Sequence, residues 1–154
     1  MADPQTDAEI RTVALADPAA TETLAAEFAG MLSPGDVIAL TGDLGAGKTV
    51  FARALIRTAG RAAGIDFGHV PSPTFTLVQH YELPGVTLYH FDLYRLTSPD
   101  EAWELGIEDA FGDGISVIEW ADRIESLLPA RCIRIDLAYG VGDMARIAQI
   151  SRSA

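Results

Sequence analysis

The chain has 154 residues and one cysteine, Cys132, and its 22 acidic residues outnumber its 11 basic ones to give a formal net charge of −11. This length suits one compact domain, and the lone cysteine excludes an internal disulfide. Proteins that bind nucleic acid unaided place lysine and arginine against phosphate, so no strong direct nucleic-acid binding is expected. With no signal-peptide pattern at the start and no apolar run of roughly 20 residues, we expect a cytoplasmic protein without membrane association.

The first residues predict a flexible segment, then a strand and a helix. Residues 1–12 are polar and expected to be flexible, whereas residues 13–154 are expected to form a single domain whose first strand is residues 13–15. Asp17 and Pro18 are typical of a helix N-terminus, as a capping residue and a first-turn proline. Helical spacing predicts one buried face on this helix, made of Leu24, Phe28, Met31 and Leu32.

An apolar strand then leads into a glycine-rich loop and a second helix. The nearly unbroken apolar run of residues 37–40 is typical of a buried central strand. The loop Gly42–Thr49 follows, and residues 50–59 predict a helix that ends near Gly60. The inward-facing positions of this helix are Phe51, Leu55 and Ile56.

The second half predicts more strands than helices. Residues 74–78 and 87–91 have strand character and flank a turn at residues 82–85, which predicts an antiparallel hairpin. Further predicted elements are helices at residues 98–105 and 122–127 and strands at residues 115–118, 132–137 and about 145–150. The expected fold is therefore α/β, a three-layer P-loop NTPase-like arrangement around a mixed central sheet of parallel and antiparallel strands.

The glycine-rich loop reads G-D-L-G-A-G-K-T and satisfies the phosphate-binding pattern G-x-x-x-x-G-K-[ST]. Its glycines let successive backbone N–H groups approach phosphate oxygens, and the next helix adds its positive end. Lys48 offers a charge to the β and γ phosphates, and Thr49 offers a hydroxyl to Mg²⁺. A chance glycine turn is the alternative, but the strand–loop–helix context favours nucleotide binding. The expected nucleotide contacts in the loop are Gly42, Asp43, Leu44, Gly45, Ala46, Gly47, Lys48 and Thr49.

Acidic residues follow two of the later strands. Asp92 comes after residues 88–91, and Glu119 comes after residues 115–118. A P-loop protein needs a carboxylate near its magnesium, so we expect Asp92 to hold Mg²⁺ directly or through a water. Glu119 is expected to complete the metal shell or to orient the attacking water. The alternative for either residue alone is a helix cap or an ion pair.

Other positions near these acids have more than one interpretation. Thr74 and Thr76 follow the proline-rich residues 71–73, which is typical either of a switch that senses the γ-phosphate or of a rigid turn. Trp120 either stacks on a ring or belongs to the core. His90 alternates with aromatic residues and is interpreted as a strand residue, and no Cys/His set predicts a zinc site.

Four motifs in this order and spacing resemble one family of small bacterial P-loop ATPases. They are G-D-L-G-A-G-K-T, S-P-T-F-T at residues 72–76, Y-H-F-D-L-Y-R-L at residues 89–96 and I-E-W at residues 118–120. Together they resemble the TsaE family, also called YjeE, over about residues 13–150. The phosphate loop alone occurs in many families, whereas the combination of H-F-D-L-Y-R-L with E-W is far more specific.

The resemblance implies roles for individual residues. Lys48 and the loop glycines match the family's phosphate-binding residues, and Thr49 and Asp92 match its magnesium residues. Glu119 matches a catalytic or metal-associated glutamate, and Trp120 the tryptophan beside it. Thr74 falls in the family's switch-like loop. Thr21 matches a threonine near the adenine.

The family also implies a partner complex. The resemblance implies that ATP hydrolysis resets or remodels the TsaB–TsaD pair between turnovers, and that TsaD transfers the threonylcarbamoyl group to adenosine 37 of tRNA. The acidic charge agrees with tRNA being held only indirectly, through those partners. A small-molecule P-loop kinase is a second hypothesis. A kinase lid needs several clustered arginines, whereas those of this chain are scattered, at residues 57, 61, 95 and 123. A nucleotide-controlled binding module with negligible turnover is a third.

Overall fold

The structure is a computed structural model that describes residues 9–152. The strands are β1 (Glu9–Leu15), β2 (Val37–Thr41), β3 (Val78–Leu83), β4 (Val86–Asp92), β5 (Ile115–Glu119), β6 (Ile133–Tyr139) and β7 (Arg146–Arg152). The helices are α1 (Pro18–Ala29), α2 (Lys48–Ala62) and α3 (Ile107–Asp113), with short 3₁₀ segments at Pro99–Leu105 and Ala121–Leu127.

The seven strands form one mixed sheet in the order β1-β7-β6-β2-β5-β4-β3. The four central strands, β6, β2, β5 and β4, pair in parallel. The outer neighbours β7 and β3 pair antiparallel to β6 and β4, and β1 pairs antiparallel to β7. Because parallel strands end at a common edge of the sheet, the loops after β2, β4 and β5 meet there.

Alternating side chains of the sheet bury two separate apolar layers, as the two-residue period of a strand requires. On β2, Ile38 and Leu40 face a layer that contains Phe28 and Phe51 from α1 and α2. Val37 on the same strand faces a second layer that includes side chains of α3 and the 3₁₀ segments. The predicted three-layer α/β fold with a mixed sheet is confirmed.

The structure corrects the predicted N-terminal region. The first strand begins at Glu9 rather than residue 13, because residues 9–12 pair antiparallel with residues 149–152 of β7. The prediction that residues 1–12 are flexible is therefore wrong for residues 9–12, while residues 1–8 lie outside the described residues. Met31 is also misassigned: α1 ends at Ala29, so Met31 lies beyond it and is 52% exposed.

In the middle of the chain one predicted strand starts too early and one helix was not predicted. The first strand of the hairpin starts at Val78, because residues 74–77 form a turn in which the Leu77 N–H donates to the Pro73 carbonyl. After the 3₁₀ segment at 99–105, Gly106 adopts a left-handed conformation with φ of 79° and caps it. That turn starts the short helix α3, which the sequence did not predict.

Candidate functional site

The glycine-rich loop runs from the end of β2 to the start of α2 and lies against β6. Gly42 has φ of 138°, and a Cβ built on it would lie 2.2 Å from the carbonyl oxygen of Leu137. Gly47 has φ of 111° and directly precedes α2. Both positions have a backbone conformation that is rare for L-residues, and Gly42 in addition lies against the main chain of β6. Glycine suits both positions because it has no Cβ. The first N–H groups of α2 have no partner within the helix and therefore remain available for an anion.

Lys48 is buried at the first position of α2, where its ammonium contacts the loop itself. The Nζ donates to the carbonyl oxygens of Gly42 at 2.5 Å and Asp43 at 2.9 Å. It also lies 4.0 Å from the ring centroid of Trp120, a cation–π distance. Burial lowers the pKa of the Lys48 ammonium below its ordinary value, and nearby carboxylates, led by Glu119, oppose that shift. The ammonium is thus a desolvated charge poised for an anionic partner.

The β6–β7 hairpin contacts the same loop from the other side. The Tyr139 hydroxyl donates to the Leu44 carbonyl at 2.5 Å, and Arg146 Nη2 donates to the Gly45 carbonyl at 3.1 Å. The Arg146 guanidinium lies 4.5 Å from the centroid of the Tyr139 ring. These contacts engage loop carbonyl oxygens and so leave the opposite edge of the peptide groups for phosphate. No local sequence pattern points to either residue, since they lie 95 and 101 positions from their partners in the loop.

The two predicted carboxylates are brought together at the ends of adjacent parallel strands. Asp92 ends β4 and Glu119 ends β5, and the two residues are direct partners in the β4–β5 register. Both are buried, with exposed fractions of 5% and 2%. Glu119 also neighbours Leu40 on β2, the strand that leads into the loop. Parallel pairing therefore places both acids beside the phosphate loop.

Each oxygen of the Glu119 carboxylate has a partner. Oε1 accepts a hydrogen bond from the Thr49 hydroxyl at 2.5 Å. Oε2 contacts Nε2 of His90 at 2.6 Å, and the His90 ring is completely buried. From the sequence alone, His90 is predicted only as an ordinary strand residue. The available signal was its position two residues before Asp92, because residues i and i+2 of a strand share a face.

Asp92 is connected to the predicted switch-like loop. Its Oδ2 accepts a hydrogen bond from the Thr74 hydroxyl at 3.3 Å, and Thr74 also contacts the Ser72 hydroxyl at 2.8 Å. Its Oδ1 accepts from the backbone N–H of Tyr94 at 3.1 Å. Asp92 therefore accepts a local backbone contact, as the capping interpretation predicts, and its role toward Mg²⁺ stays a prediction.

Two non-glycine residues with left-handed backbone both border this site. Leu77 has φ of 69° and closes the turn that contains Thr74. Trp120 has φ of 58° and directly follows Glu119. Its ring packs 4.8 Å from the ring of Tyr94 and is only partly buried. Backbone strain of this kind is concentrated at functional sites, and the half-exposed indole is more than a core residue.

These side chains line one open pocket of about 350 Å³. Its lining includes Lys48, Thr49, Thr74, Asp92, Glu119 and Trp120, with Leu44, Gly45 and Gly47 from the loop. Thr21 is not among them. It is buried on α1 and lines a separate pocket of about 70 Å³, which shares Gly45, Gly47 and Val50 with the larger one.

The donor set suits a hard divalent cation. Thr49, Asp92 and Glu119 offer only oxygen atoms, which Mg²⁺ prefers. Over residues 9–152 no group of three or more His, Cys, Asp or Glu side chains is arranged to hold a metal by itself.

Over the same residues, no helix combines the length and apolar character needed to cross a membrane.

Comparison with known proteins identifies the family. The model of the family "Threonylcarbamoyl adenosine biosynthesis protein TsaE" matches residues 15–147. The "tRNA threonylcarbamoyladenosine biosynthesis protein TsaE" of Rickettsia bellii is 44% identical over 132 residues, covering 85% of this chain and 88% of the relative. The Bacillus subtilis protein of that name is 41% identical over 121 residues, covering 77% and 72%. A crystal structure of YdiB from Bacillus subtilis superposes with a TM-score of 0.72 at 30% identity, covering 96% of this chain and 88% of that one. The chain therefore belongs to the TsaE family of threonylcarbamoyl adenosine biosynthesis proteins.

Proposed function

We propose that the protein binds ATP with Mg²⁺ and hydrolyses it to support the TsaB–TsaD complex during formation of N6-threonylcarbamoyladenosine at position 37 of tRNA. Membership of the family gives the coarser role, in tRNA threonylcarbamoyladenosine biosynthesis. The observation that supports ATP chemistry best is the contact of Thr49, at the start of α2, with Glu119, whose strand partner is Asp92. A phosphate loop, a hydroxyl and two acids thus share one pocket.

The phosphates are expected to occupy the concave side of the loop. The Lys48 ammonium donates to two carbonyl oxygens of the loop and lies over the Trp120 ring. These partners are neutral, so they compensate its positive charge only in part. A β- or γ-phosphate oxygen offers a full negative charge, so the ammonium gains from moving to it. The N–H groups at the start of α2 add their dipole at the same point.

Mg²⁺, when bound, would neutralise phosphate charge and fix the geometry of the β and γ oxygens. The Thr49 oxygen would offer a lone pair to the metal while its proton remains on Glu119 Oε1, so the existing hydrogen bond would hold that carboxylate beside the metal. Asp92 stays at the end of β4, linked through Thr74 to the switch-like loop. Loss of the γ-phosphate would therefore be sensed by Thr74 and Asp92 together.

Partner dependence is part of the proposal. Each Glu119 oxygen already accepts one hydrogen bond from the protein, so an attacking water would share an oxygen with Thr49 or His90. Binding of the partner complex would bring this shared arrangement into its working geometry. Without the partners, low turnover by the isolated protein is expected, as in the binding-module hypothesis.

The first experiment measures phosphate release with and without the cognate TsaB–TsaD pair. We expect release to rise strongly with the pair and to be abolished by Lys48→Ala. Saturable ATP binding with no release under any condition would replace hydrolysis by nucleotide-controlled binding. Phosphorylation of a metabolite instead of water would point to a kinase.

The second experiment tests the metal role of Asp92. Asp92→Asn keeps the size and the hydrogen-bonding oxygen but removes the charge, and Asp100→Asn is the matched control on an exposed acid. We expect Asp92→Asn to weaken binding of a non-hydrolysable ATP analogue in the presence of Mg²⁺ about tenfold or more, and to have little effect with EDTA. Equal loss in both conditions would make Asp92 a purely structural residue.

A further inference from the structure

His90 occupies a position in the sheet from which its ring reaches the neighbouring strand. It lies two residues before Asp92 on β4, so both side chains belong to the same face. In the β4–β5 register Asp92 pairs with Glu119 and His90 pairs with Val117, which makes Glu119 the diagonal neighbour of His90. Diagonal pairs are within reach of long or aromatic side chains, and Nε2 of His90 meets Oε2 of Glu119 at 2.6 Å.

The hydrogen bonding of this ring is unlike that of an ordinary core histidine. Buried polar side chains normally have all their polar atoms satisfied. The ring of His90 has an exposed fraction of 0%, and within residues 9–152 its Nδ1 has no hydrogen-bond partner. An apolar side chain would fill this place without an unpaired nitrogen. What the histidine adds is the hydrogen bond between its Nε2 and the carboxylate of Glu119, which lines the candidate nucleotide pocket.

The partner of Nε2 indicates where a ring proton lies. An ionised carboxylate only accepts hydrogen bonds, so the contact of 2.6 Å between Nε2 and Oε2 is a hydrogen bond donated by Nε2. His90 is then a fixed donor, and Glu119 is the acceptor.

We propose that His90 is a positioning residue that fixes the Glu119 carboxylate through Oε2. This rests on the proposed ATP hydrolysis. Thr49 and His90 hold one carboxylate oxygen each. The Thr49 contact lies on the side where nucleotide and metal would bind, whereas the His90 contact is completely buried and would persist when that side changes. Without it, the three torsions of the glutamate side chain become free and the water-orienting geometry is lost.

The test uses a pair of variants of equal length. His90→Gln places an amide N–H at about the position of Nε2, whereas His90→Met has the same reach and no donor. We expect His90→Met to lower kcat about tenfold or more, in the range found for groups that orient a functional side chain, with the affinity for an ATP analogue changed less than about threefold. His90→Gln should recover most of the lost kcat. Ser116→Ala is the control, because it removes a buried polar atom of the neighbouring strand β5 that also has no partner within residues 9–152.

A second readout is independent of turnover. The ring nitrogens of the three histidines are observed by ¹⁵N NMR, and the His90 signals are those lost in His90→Gln. We expect a slowly exchanging proton on Nε2 of His90 that disappears or shifts strongly in Glu119→Ala. The matched substitution His80→Gln, at an exposed residue of β3, should leave that signal unchanged.

The outcomes separate this proposal from the proposed function. Full kcat in His90→Met would overturn the positioning role, because it would show that no donor is needed at this position. A kcat in His90→Gln as low as in His90→Met would also overturn it, because restoring a donor would then restore no activity. A His90 ring with no proton on Nε2, or with an Nε2 proton whose signal is indifferent to Glu119→Ala, would overturn it as well. If the wild-type protein with its partners releases no phosphate, hydrolysis is refuted, and the ring-proton experiment alone decides whether His90 holds Glu119.

Discussion

Gly42→Ala adds one methyl group at the closest approach between the phosphate loop and the sheet. The added Cβ would lie 2.2 Å from the carbonyl oxygen of Leu137, 3.2 Å from the carbonyl carbon and 3.4 Å from the Cβ of Ala46. The first of these is main chain of a central strand, which cannot rotate away as a flexible side chain can. Either β6 or the loop has to move by about an ångström to restore ordinary contact.

The loss of folding stability in Gly42→Ala has two parts, backbone strain and steric overlap, and a control variant separates them. A non-glycine residue at φ of 138° is strained by about 1–3 kcal/mol. Relieving the overlap in a packed region costs about another 1–3 kcal/mol. Gly142→Ala, at the tip of the β6–β7 hairpin, has φ of 104° with nothing within 4 Å of the added Cβ, so it carries only the backbone part. The reduction in unfolded-state entropy is common to both variants and cancels.

The assay is urea unfolding followed by tryptophan fluorescence, with thermal melts beside it. We expect Gly42→Ala to lower the free energy of unfolding by about 4 kcal/mol, and by about 2 kcal/mol more than Gly142→Ala does. For a domain of this size 2 kcal/mol corresponds to about 4–8 °C in melting temperature. The displaced loop should also weaken binding of an ATP analogue, whereas Gly142→Ala should bind normally.

Equal stabilities of the two variants, within about 0.5 kcal/mol, would show that the loop does not rest against β6 as described. A destabilised Gly42→Ala that binds the ATP analogue with unchanged affinity would refute the coupling between this contact and the shape of the phosphate loop.

Three other predictions follow from the same site and its surroundings. Because burial lowers the pKa of Lys48, affinity for an ATP analogue should begin to fall with rising pH below the ordinary lysine value of 10.5, where the free protein loses the ammonium; constant affinity up to that pH would contradict it. Arg146→Ala should weaken ATP-analogue binding about fivefold and cost about 1 kcal/mol of stability, since it removes a hydrogen bond to the Gly45 carbonyl and a stack on Tyr139; Arg152→Ala is the control at the other end of β7. Cys132 is buried and burial raises the pKa of its thiol, so it should react with a disulfide reagent at pH 8 about a hundredfold more slowly than a small thiol until the protein is unfolded.

Local sequence determined the parts of this protein whose chemistry lies within a few residues. The apolar run of β2, the pattern from Gly42 to Thr49 and the helix after it are contiguous, so one stretch of chain specifies strand, anion-binding loop and helix. Asp92 and Glu119 were found because each ends a strand of recognisable apolar pattern, and parallel strands bring their ends to one edge.

Sequence failed where backbone conformation overrides residue preference. Residues 74–77 have β-forming side chains, yet Leu77 adopts φ of 69° and closes a turn onto Pro73. At Gly106 the predicted helix end is correct, but the preceding residues form a 3₁₀ segment and a new helix, α3, starts directly after the left-handed turn. Strand pairing decided the N-terminal boundary in the same way, because residues 9–12 are polar by composition but form ladder bonds with β7.

Only the tertiary structure decided how the site is held together, because its contacts join residues far apart in the chain. Tyr139 reaches Leu44 across 95 positions, and Thr49 reaches Glu119 across 70. The pairing of His90 with Glu119 depends on the register of two strands joined by a long connection, which no local pattern encodes. The sequence by itself specifies a phosphate-binding loop and two strand-end acids, since their signals are local. The side chains that orient Lys48, Glu119 and the loop become visible only when the sheet is assembled, because hydrogen bonds depend on distances of a few tenths of an ångström between distant segments.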